Sequence, residues 1–296
     1  MRIIKNKNEQ THTITKDIQL LPFLLELFPN KSRNAVKSIL TRGQVSVNGK
    51  TITQHNHPLT SGDEVQILNN QAAQKQSILN GITILHEDED IIVIHKEAGI
   101  LSMAAKDPQE RTAYRQLNDY VKEDNRKNRI FIVHRLDRDT SGVMLFAKSE
   151  EIKEALQENW HEIVKERVYT VVVEGALKKD EGSIESWLTE SKSTKVYSST
   201  YDNGGKHAIT HYKKVGGNRQ YTLLEANLET GRKNQIRVHM EALGHPVVGD
   251  RKYEATTNPL KRLGLHATTL AFTHPRTGTL VRYSAPVPKS FYQLVK

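Results

Sequence analysis

The 296-residue chain contains no cysteine. Disulfides and thiolate metal sites are thereby excluded, and the absence fits a reducing cytoplasm. Aromatic residues make up only 6% of the sequence and hydrophobic residues 36%. That is enough for a core, though not a rich one. No apolar run approaches the ~20 residues of a membrane helix. Met1-Arg2-Ile3-Ile4-Lys5-Asn6-Lys7 leads into no apolar block, so neither a span nor a secretory leader is expected. No G-x-G-x-x-G follows a strand pattern and no P-loop is present, which leaves dinucleotide, methyl-donor and P-loop folds without support. His55 and His57 are close in sequence but have no further ligands at metal spacing. No metal site and no cofactor are expected. There is no internal repeat.

What is present is positive charge, +9 formally, from 43 Lys or Arg against 34 Asp or Glu. A basic chain of this size points to an anionic polymer, nucleic acid first. The charge is uneven: residues 1–75 hold ten Lys or Arg and five Asp or Glu. A polar stretch without aromatics, Asn69 to Ser77, reads as a linker. The expected organisation is an extension over 1–14, a small module over 15–68, a linker over 69–80 and a large domain over 81–296. In the module, Ile18, Leu21, Leu24, Leu25 and Phe28 recur at helical spacing. Ser32 is placed to cap a second helix carrying Val36, Ile39 and Leu40, and Gly43 to end it. Val45-Ser46-Val47 and Thr51-Ile52-Thr53 flank Asn48-Gly49, a strong hairpin signal. Lys31, Arg33, Lys37 and Arg42, with Lys50 on the hairpin, form a basic cluster suited to successive phosphates.

The stretch from Ser32-Arg33 through Gly43-Gln44-Val45-Ser46-Val47-Asn48-Gly49-Lys50 to Leu59 and Gly62-Asp63-Glu64-Val65 resembles the S-four-type (α-L) RNA-binding domain. The resemblance implies binding to structured RNA and no chemistry of its own.

Beyond residue 81 short strands dominate. Ile91–Ile94, Val168–Glu174, Ser183–Leu188, Ile209–Val215 and Gln220–Leu228 are strand-like. Helices are expected around Ala113–Val121, after Ser149 with Ile152, Leu156, Trp160 and Ile163 on one face, and over Asn234–Leu243. Strands outnumber helices without alternating with them. The expected class is therefore α+β, with a largely antiparallel mixed sheet.

Two segments are dense in reactive side chains. His134-Arg135-Leu136-Asp137-Arg138-Asp139-Thr140-Ser141-Gly142 lies between apolar runs at 130–133 and 143–147, a loop held between two strands. Alone it reads equally well as a self-neutralising turn. Glu229 to His239 gathers Arg232, Lys233 and Arg237 at the start of a helix, where cations are unfavourable. A nearby carboxylate or phosphate is called for, with Asp137 and Asp139 the obvious carboxylates.

Taken together, H-R-L-D-x-D-T-S-G at 134–142 and T-G-R-x-x-Q-I-R-V-H at 230–239 resemble the RluA-type family of RNA pseudouridine synthases. The likeness extends through Gly244–Asp250, His266–Phe272, His274-Pro275 and Pro286, to Glu87-Asp88 through Lys96, and to Arg167 with Tyr169. It implies that Asp137 is the catalytic aspartate and that Arg237 pairs with it. It further implies that Tyr169 lies against the uracil, Ile236 lines the base pocket, and Arg135 helps extrude the nucleotide. Arg232 and His134 join the RNA-contacting set. Glu97, where proline is common, and Lys233-Asn234, in place of Thr-His, depart from the pattern. The implied reaction is uridine isomerisation in large-subunit ribosomal RNA or transfer RNA, by a cytoplasmic monomer needing no cofactor. Two other readings stand beside it: an RNA-binding or ribosome-assembly factor without turnover, and a hydrolase using Asp137 and Asp139 as paired carboxylates ~5–9.5 Å apart.

Overall fold

A computed structural model describes residues 9–41, 43–68, 78–104 and 110–296. The chain divides into two compact units, Met1–Asn80 and Gly81–Lys296. The first contains β1 (Glu9–Thr13), β2 (Ile18–Gln19), α1 (Leu20–Leu27), α2 (Arg33–Thr41), β3 (Val45–Val47), β4 (Lys50–Thr51), β5 (Pro58–Leu59) and β6 (Glu64–Leu68). Leu20, Leu24, Val36 and Leu40 on the helices pack with Val45 and Val65 on the strands. The Ser32 hydroxyl accepts from the Ala35 amide at 3.2 Å, an N-cap bond. Asn48 and Gly49 both have positive φ, at 49° and 77°, as a tight hairpin turn requires. The Asn48 side chain also donates to Asp63 at 2.8 Å and accepts from the Glu64 amide at 2.9 Å. That pair of bonds links the N-G and G-D parts of the motif. Residues 9–13, assigned by pattern to an extension, instead form β1 and pair along β6 in a sheet ordered β1-β6-β3-β4. Backbone pairing, not hydrophobic alternation, places that strand. The hairpin is shorter than expected, since its return strand stops at Thr51.

The second unit contains β7 (Ile82–Glu87), β8 (Ile91–Lys96), α3 (Ala113–Lys122), β9 (Phe131–Ile132), β10 (Ser141–Ala147), α4 (Glu150–Glu158), α5 (Trp160–Ile163), β11 (Val164–Glu174), β12 (Glu181–Glu190), β13 (Val196–Ser199), β14 (Lys206–Gly217), β15 (Tyr221–Leu228), α6 (Gln235–Ala242), β16 (Leu265–Thr273), β17 (Leu280–Ser284) and α7 (Lys289–Leu294). The sheet runs β13-β12-β14-β15-β11-β16-β10-β8-β7, with β17 beside β16 and β9 beside β10. Among the described residues its pairings are antiparallel except that of β10 with β16. The α+β, largely antiparallel class therefore holds. Among the described residues no helix is long and apolar enough to cross a membrane.

Two local expectations change. The run 130–133 yields only the two-residue β9. The single helix expected after Ser149 breaks at Asn159, with φ −105° and ψ 24°, into α4 and α5. Ser149 does cap α4, accepting from the Ile152 amide at 3.2 Å, and Glu150 and Glu151 occupy its first turn, where negative charge is favourable.

β10 is buried along its whole length, which is why it reads as an uninterrupted apolar run. Its parallel ladder with β16 comprises Ser141 opposite His266 and Gly142 opposite Ala267. Gly142 has φ +124°, and a Cβ there would collide with the Ala267 backbone. Glycine is thus required both by conformation and by space. Gly142→Ala is expected to destabilise this unit by more than ~1 kcal/mol. Urea denaturation followed by tryptophan fluorescence checks this, since Trp160 and Trp187, the only tryptophans, both lie in this unit.

Candidate active site

The loop 134–140 is fixed from several sides. The Ser102 hydroxyl accepts from the Leu136 amide at 3.1 Å and donates to its carbonyl at 2.7 Å. His134 Nε2 accepts from the Leu145 amide at 3.0 Å, so the ring proton sits on Nδ1. Burial pushes that imidazole down to about 4. The His134 ring also lies against Trp160, with centroids 5.2 Å apart. It serves the loop as a neutral brace. Lys96, at the end of β8, is fully buried. Its ammonium donates to the carbonyls of Ile100 at 2.7 Å, Arg138 at 3.0 Å and Glu97 at 3.1 Å. Burial lowers this lysine to about 8, with Asp139 and Asp137 opposing the shift. Behind the loop, the Ser141 hydroxyl meets His266 Nδ1 at 2.7 Å and accepts from Arg262 at 2.6 Å.

Asp137 projects from this loop toward Arg237 on α6. Arg237 Nη1 donates to Asp137 Oδ2 at 3.1 Å and to Asn234 Oδ1 at 3.2 Å. Its Nε and Nη2 grip Asp250 at 2.6 and 2.8 Å, and the Tyr253 ring lies 5.0 Å from the guanidinium carbon. Side-chain exposure falls from 26% at Asp137 to 14% at Arg237 and 1% at Asp250. Burial works against the charge on Arg237. Asp250, and then Asp137, outweigh it and hold the guanidinium above its ordinary range.

The turn before α6 is built around Gln235. Its Oε1 accepts from Thr230 at 2.8 Å and from the Arg232 amide at 2.9 Å. Its Nε2 donates to the Ile209 carbonyl and to Thr210, both at 2.9 Å. Asn234 adopts the left-handed conformation at φ 54°, which asparagine tolerates better than most residues. Its Nδ2 donates to the Tyr253 hydroxyl at 2.9 Å. The departure from the family pattern at this position thus supplies both the turn and a partner for Arg237.

Tyr169 follows a register shift in the pairing of β11 with β16, between Val168 and Tyr169. Such a bulge re-aims a side chain. Burial pushes its phenol up to about 12, so it stays protonated at neutral pH. Asp137, Tyr169, Ile236 and Arg237 line one cavity of about 70 Å³, together with Arg135 and Arg232 at its edge. Arg135 is exposed and Ile236 buried. Asp139 lines a different cavity, beside Arg262. The two aspartates of the loop do not face each other across one site, and the paired-carboxylate reading loses its basis. Of the basic cluster in the first unit, Lys31, Arg33, Lys37 and Lys50 are exposed, and Arg42 lies outside the described residues.

Asp250 and Lys96 did not emerge from the sequence as site residues. For Asp250 the available signal was its place in the Gly244–Asp250 stretch. For Lys96 it was its place at the end of the Glu87–Lys96 stretch, a lysine closing an otherwise apolar strand. Among the described residues one group elsewhere brings ligand atoms together: Asp88, Asp90 and His274. There Arg276 holds Asp90 through two 2.6 Å bonds. His274 Nδ1 accepts from the amides of Arg276 and Thr277 at 3.3 and 3.4 Å, which puts the ring proton on Nε2, 3.3 Å from Asp88. Asp90 is thus committed to Arg276, whereas the buried His274 Nε2 makes no hydrogen bond among the described residues.

The sequence model of the RNA pseudouridylate synthase family matches residues 90–242, and that of the S4 domain matches residues 20–65. A Bacillus subtilis (strain 168) protein, uncharacterized RNA pseudouridine synthase YlyB, is 33% identical over 93% of this chain and 92% of its own length. The chain belongs to the RNA pseudouridylate synthase family. Ribosomal large subunit pseudouridine synthase D of Neisseria meningitidis serogroup B (strain ATCC BAA-335 / MC58) is 31% identical over 92% of this chain and 76% of its own. In structure, the human RNA pseudouridylate synthase domain containing 4 protein superposes with a TM-score of 0.60. It is 21% identical over 75% of this chain and 94% of its own, a likeness of fold. The protein is thus an RNA-modifying isomerase that carries an S4 domain, and the reading as a binding factor without turnover gives way.

Two predictions follow from the buried groups of this synthase. Asp250→Asn removes the charge that holds Arg237, and breaking one side of a buried pair costs about 3–5 kcal/mol. Lower urea stability is expected, with pseudouridine formation on RNA falling at least about tenfold in protein still folded at the assay temperature. His239 and His266 are fully buried and, like His134, are pushed by burial to about 4. Their neutral forms contribute stability above the unfolded value of about 6.5, and this is lost as pH falls from there to about 4. The loss is up to ~1.4 kcal/mol per pH unit per ring, measurable as urea midpoints at pH 7.5, 5.5 and 4.5.

Proposed function

We propose that this enzyme isomerises specific uridines in a large structured RNA, with large-subunit ribosomal RNA the favoured substrate and transfer RNA second. The observation that carries the reading is an Asp137 carboxylate held by Arg237 over a cavity walled by Tyr169 and Ile236. Support for the substrate comes from the relatives named for the large ribosomal subunit and from the S4 domain. In this scheme residues 15–68 form the RNA-binding domain and 81–296 the catalytic domain, joined through 69–80. The chain acts as a monomer in the cytoplasm.

The chemistry asks little beyond these side chains. The bond from ribose C1′ to uracil N1 breaks, the base turns, and C1′ bonds to C5. The C5 proton leaves and N1 gains one, so atoms and charge balance without redox or an added reactant. Asp137 is the catalytic group beside the sugar and base. A neighbouring guanidinium favours an ionised carboxylate where desolvation would oppose it, which is the role of Arg237. Tyr169, kept as a phenol, packs against the uracil, and Ile236 closes the apolar side of the pocket. Flipping a uridine out of folded RNA costs a few kcal/mol. Arg135 offsets this by entering the vacated stack. Arg232 takes a phosphate at the cavity edge, and Lys31, Arg33, Lys37, Arg42 and Lys50 engage the backbone farther away. His134 supports the RNA face from within the loop.

Asp137→Asn is expected to abolish pseudouridine formation while leaving RNA affinity within about threefold. Mapping pseudouridines in total RNA from strains with the gene, without it, and with only the Asn variant tests both parts of the proposal. Sites that disappear in the deletion and stay absent with the variant identify the substrate. Sites restored by the variant would remove Asp137 from the chemistry.

A further inference from the structure

Beside the catalytic cavity lies a second one of about 300 Å³, and the two share Arg135, Tyr169, Leu228 and Arg232 as a common wall. Its other side is formed by Trp160, Arg167 and the His134 ring. The chemical character is unusual for a protein interior. Arg167 and Arg232 are both half-buried. Arg167 Nη2 donates to the Glu229 carbonyl, and Arg232 Nε to the His207 carbonyl at 2.9 Å. Among the described residues neither has a carboxylate within 4.0 Å. Two guanidiniums thus sit on one cleft satisfied only by neutral acceptors, a local concentration of positive charge suited to an anionic ligand. Burial pulls Arg167 below its ordinary range, and the Arg232 charge adds to the effect. Gly231 leaves room for the Arg167 guanidinium, since a Cβ there would lie 2.7 Å from Arg167 Nη1.

We propose that this cavity binds the nucleotide adjacent to the target uridine, its phosphodiester between Arg167 and Arg232 and its base against the Trp160 indole. The inference rests on the proposed role of the Asp137 cavity as the uridine site. A phosphodiester supplies the missing anion, and a base supplies a flat apolar face for an indole that packs on the core and the His134 ring and stays partly exposed. Such stacking accepts any base, so the cavity fixes the depth and direction of the strand without reading its sequence. Tyr169 then stands between two consecutive bases. The break between α4 and α5 acquires a purpose as well, because it starts α5 at Trp160.

The test uses the full chain. With Trp187→Phe, Trp160 is the single tryptophan reporter. Addition of a nine-nucleotide oligouridylate at low salt is expected to quench its fluorescence. Arg167→Gln should weaken that binding about tenfold and lower the slope of log affinity against log salt by about 0.7, one phosphate contact on a single strand. Turnover is measured on total RNA from a strain lacking the gene. Trp160→Ala should raise the apparent KM about tenfold with kcat within about twofold, and Trp160→Phe should restore KM. That rescue separates lost stacking from misfolding. Wild-type KM and salt slope in Trp160→Ala and Arg167→Gln, with Asp137→Asn inactive, would overturn the subsite and leave the catalytic assignment standing. Activity in Asp137→Asn would sink that assignment instead, and the quench would then decide the cavity on its own.

Discussion

A single guanidinium joins the parts of this site. Arg237 spends two nitrogens on Asp250 and one on Asp137, and the order of burial along that chain sets its behaviour. Asp250 is inaccessible, so its charge is tolerable only while Arg237 covers it. Arg237 is consequently locked in orientation, and its remaining nitrogen presents a fixed positive charge to the one carboxylate that reaches the cavity. The arrangement resembles a bracket: the inner acid holds the cation, and the cation holds the outer acid. Much of the surrounding structure serves one end or the other. Gln235 and Asn234 shape the turn from which Arg237 emerges. Lys96, Ser102 and His134 hold the loop from which Asp137 emerges.

The two ends come from different parts of the sheet. The loop of Asp137 runs into β10, which belongs with β8 and β7, whereas α6 and Tyr169 belong to the side built from β11 to β16. These parts meet at the two-residue parallel ladder that Gly142 allows. The neighbouring Ser141, His266 and Arg262 bond across the same junction. The Asp137–Arg237 contact is therefore a clasp over a seam.

Much of this was legible in the chain itself, for physical reasons that differ by element. Buried β10 announced itself as an apolar run. The Asn48-Gly49 hairpin and the Ser149 cap showed because turns and caps demand particular side chains. Cations at a helix start called for a carboxylate or phosphate and left Asp137 and Asp139 both open; only the family resemblance singled out Asp137 as the partner of Arg237. The edge strand β1 was not legible, because a short polar strand is specified by its partner's backbone and not by its own pattern. The break at Asn159 was hidden by an apolar periodicity that runs straight through it. Asp250 and Lys96 lay in stretches that carry the resemblance, but a matching stretch does not say which of its side chains turns inward, and lysine is normally a surface residue. The second cavity was equally invisible: Trp160 and Arg167 come from one segment and Arg232 from another, and they acquire meaning only as neighbours.

The short parallel ladder carries one more implication. Two residues of pairing between long antiparallel stretches make this the place where the sheet is held by the fewest backbone bonds. Yet the hydrophobic cluster beneath it spans the ladder, with Ile91, Val93, Val143 and Leu145 on one side packed with Leu270 and Phe272 on the other. Side chains, more than backbone bonds, therefore hold the two parts of the sheet together at this point. Trimming that cluster, far from any charged group, would loosen the Asp137–Arg237 contact.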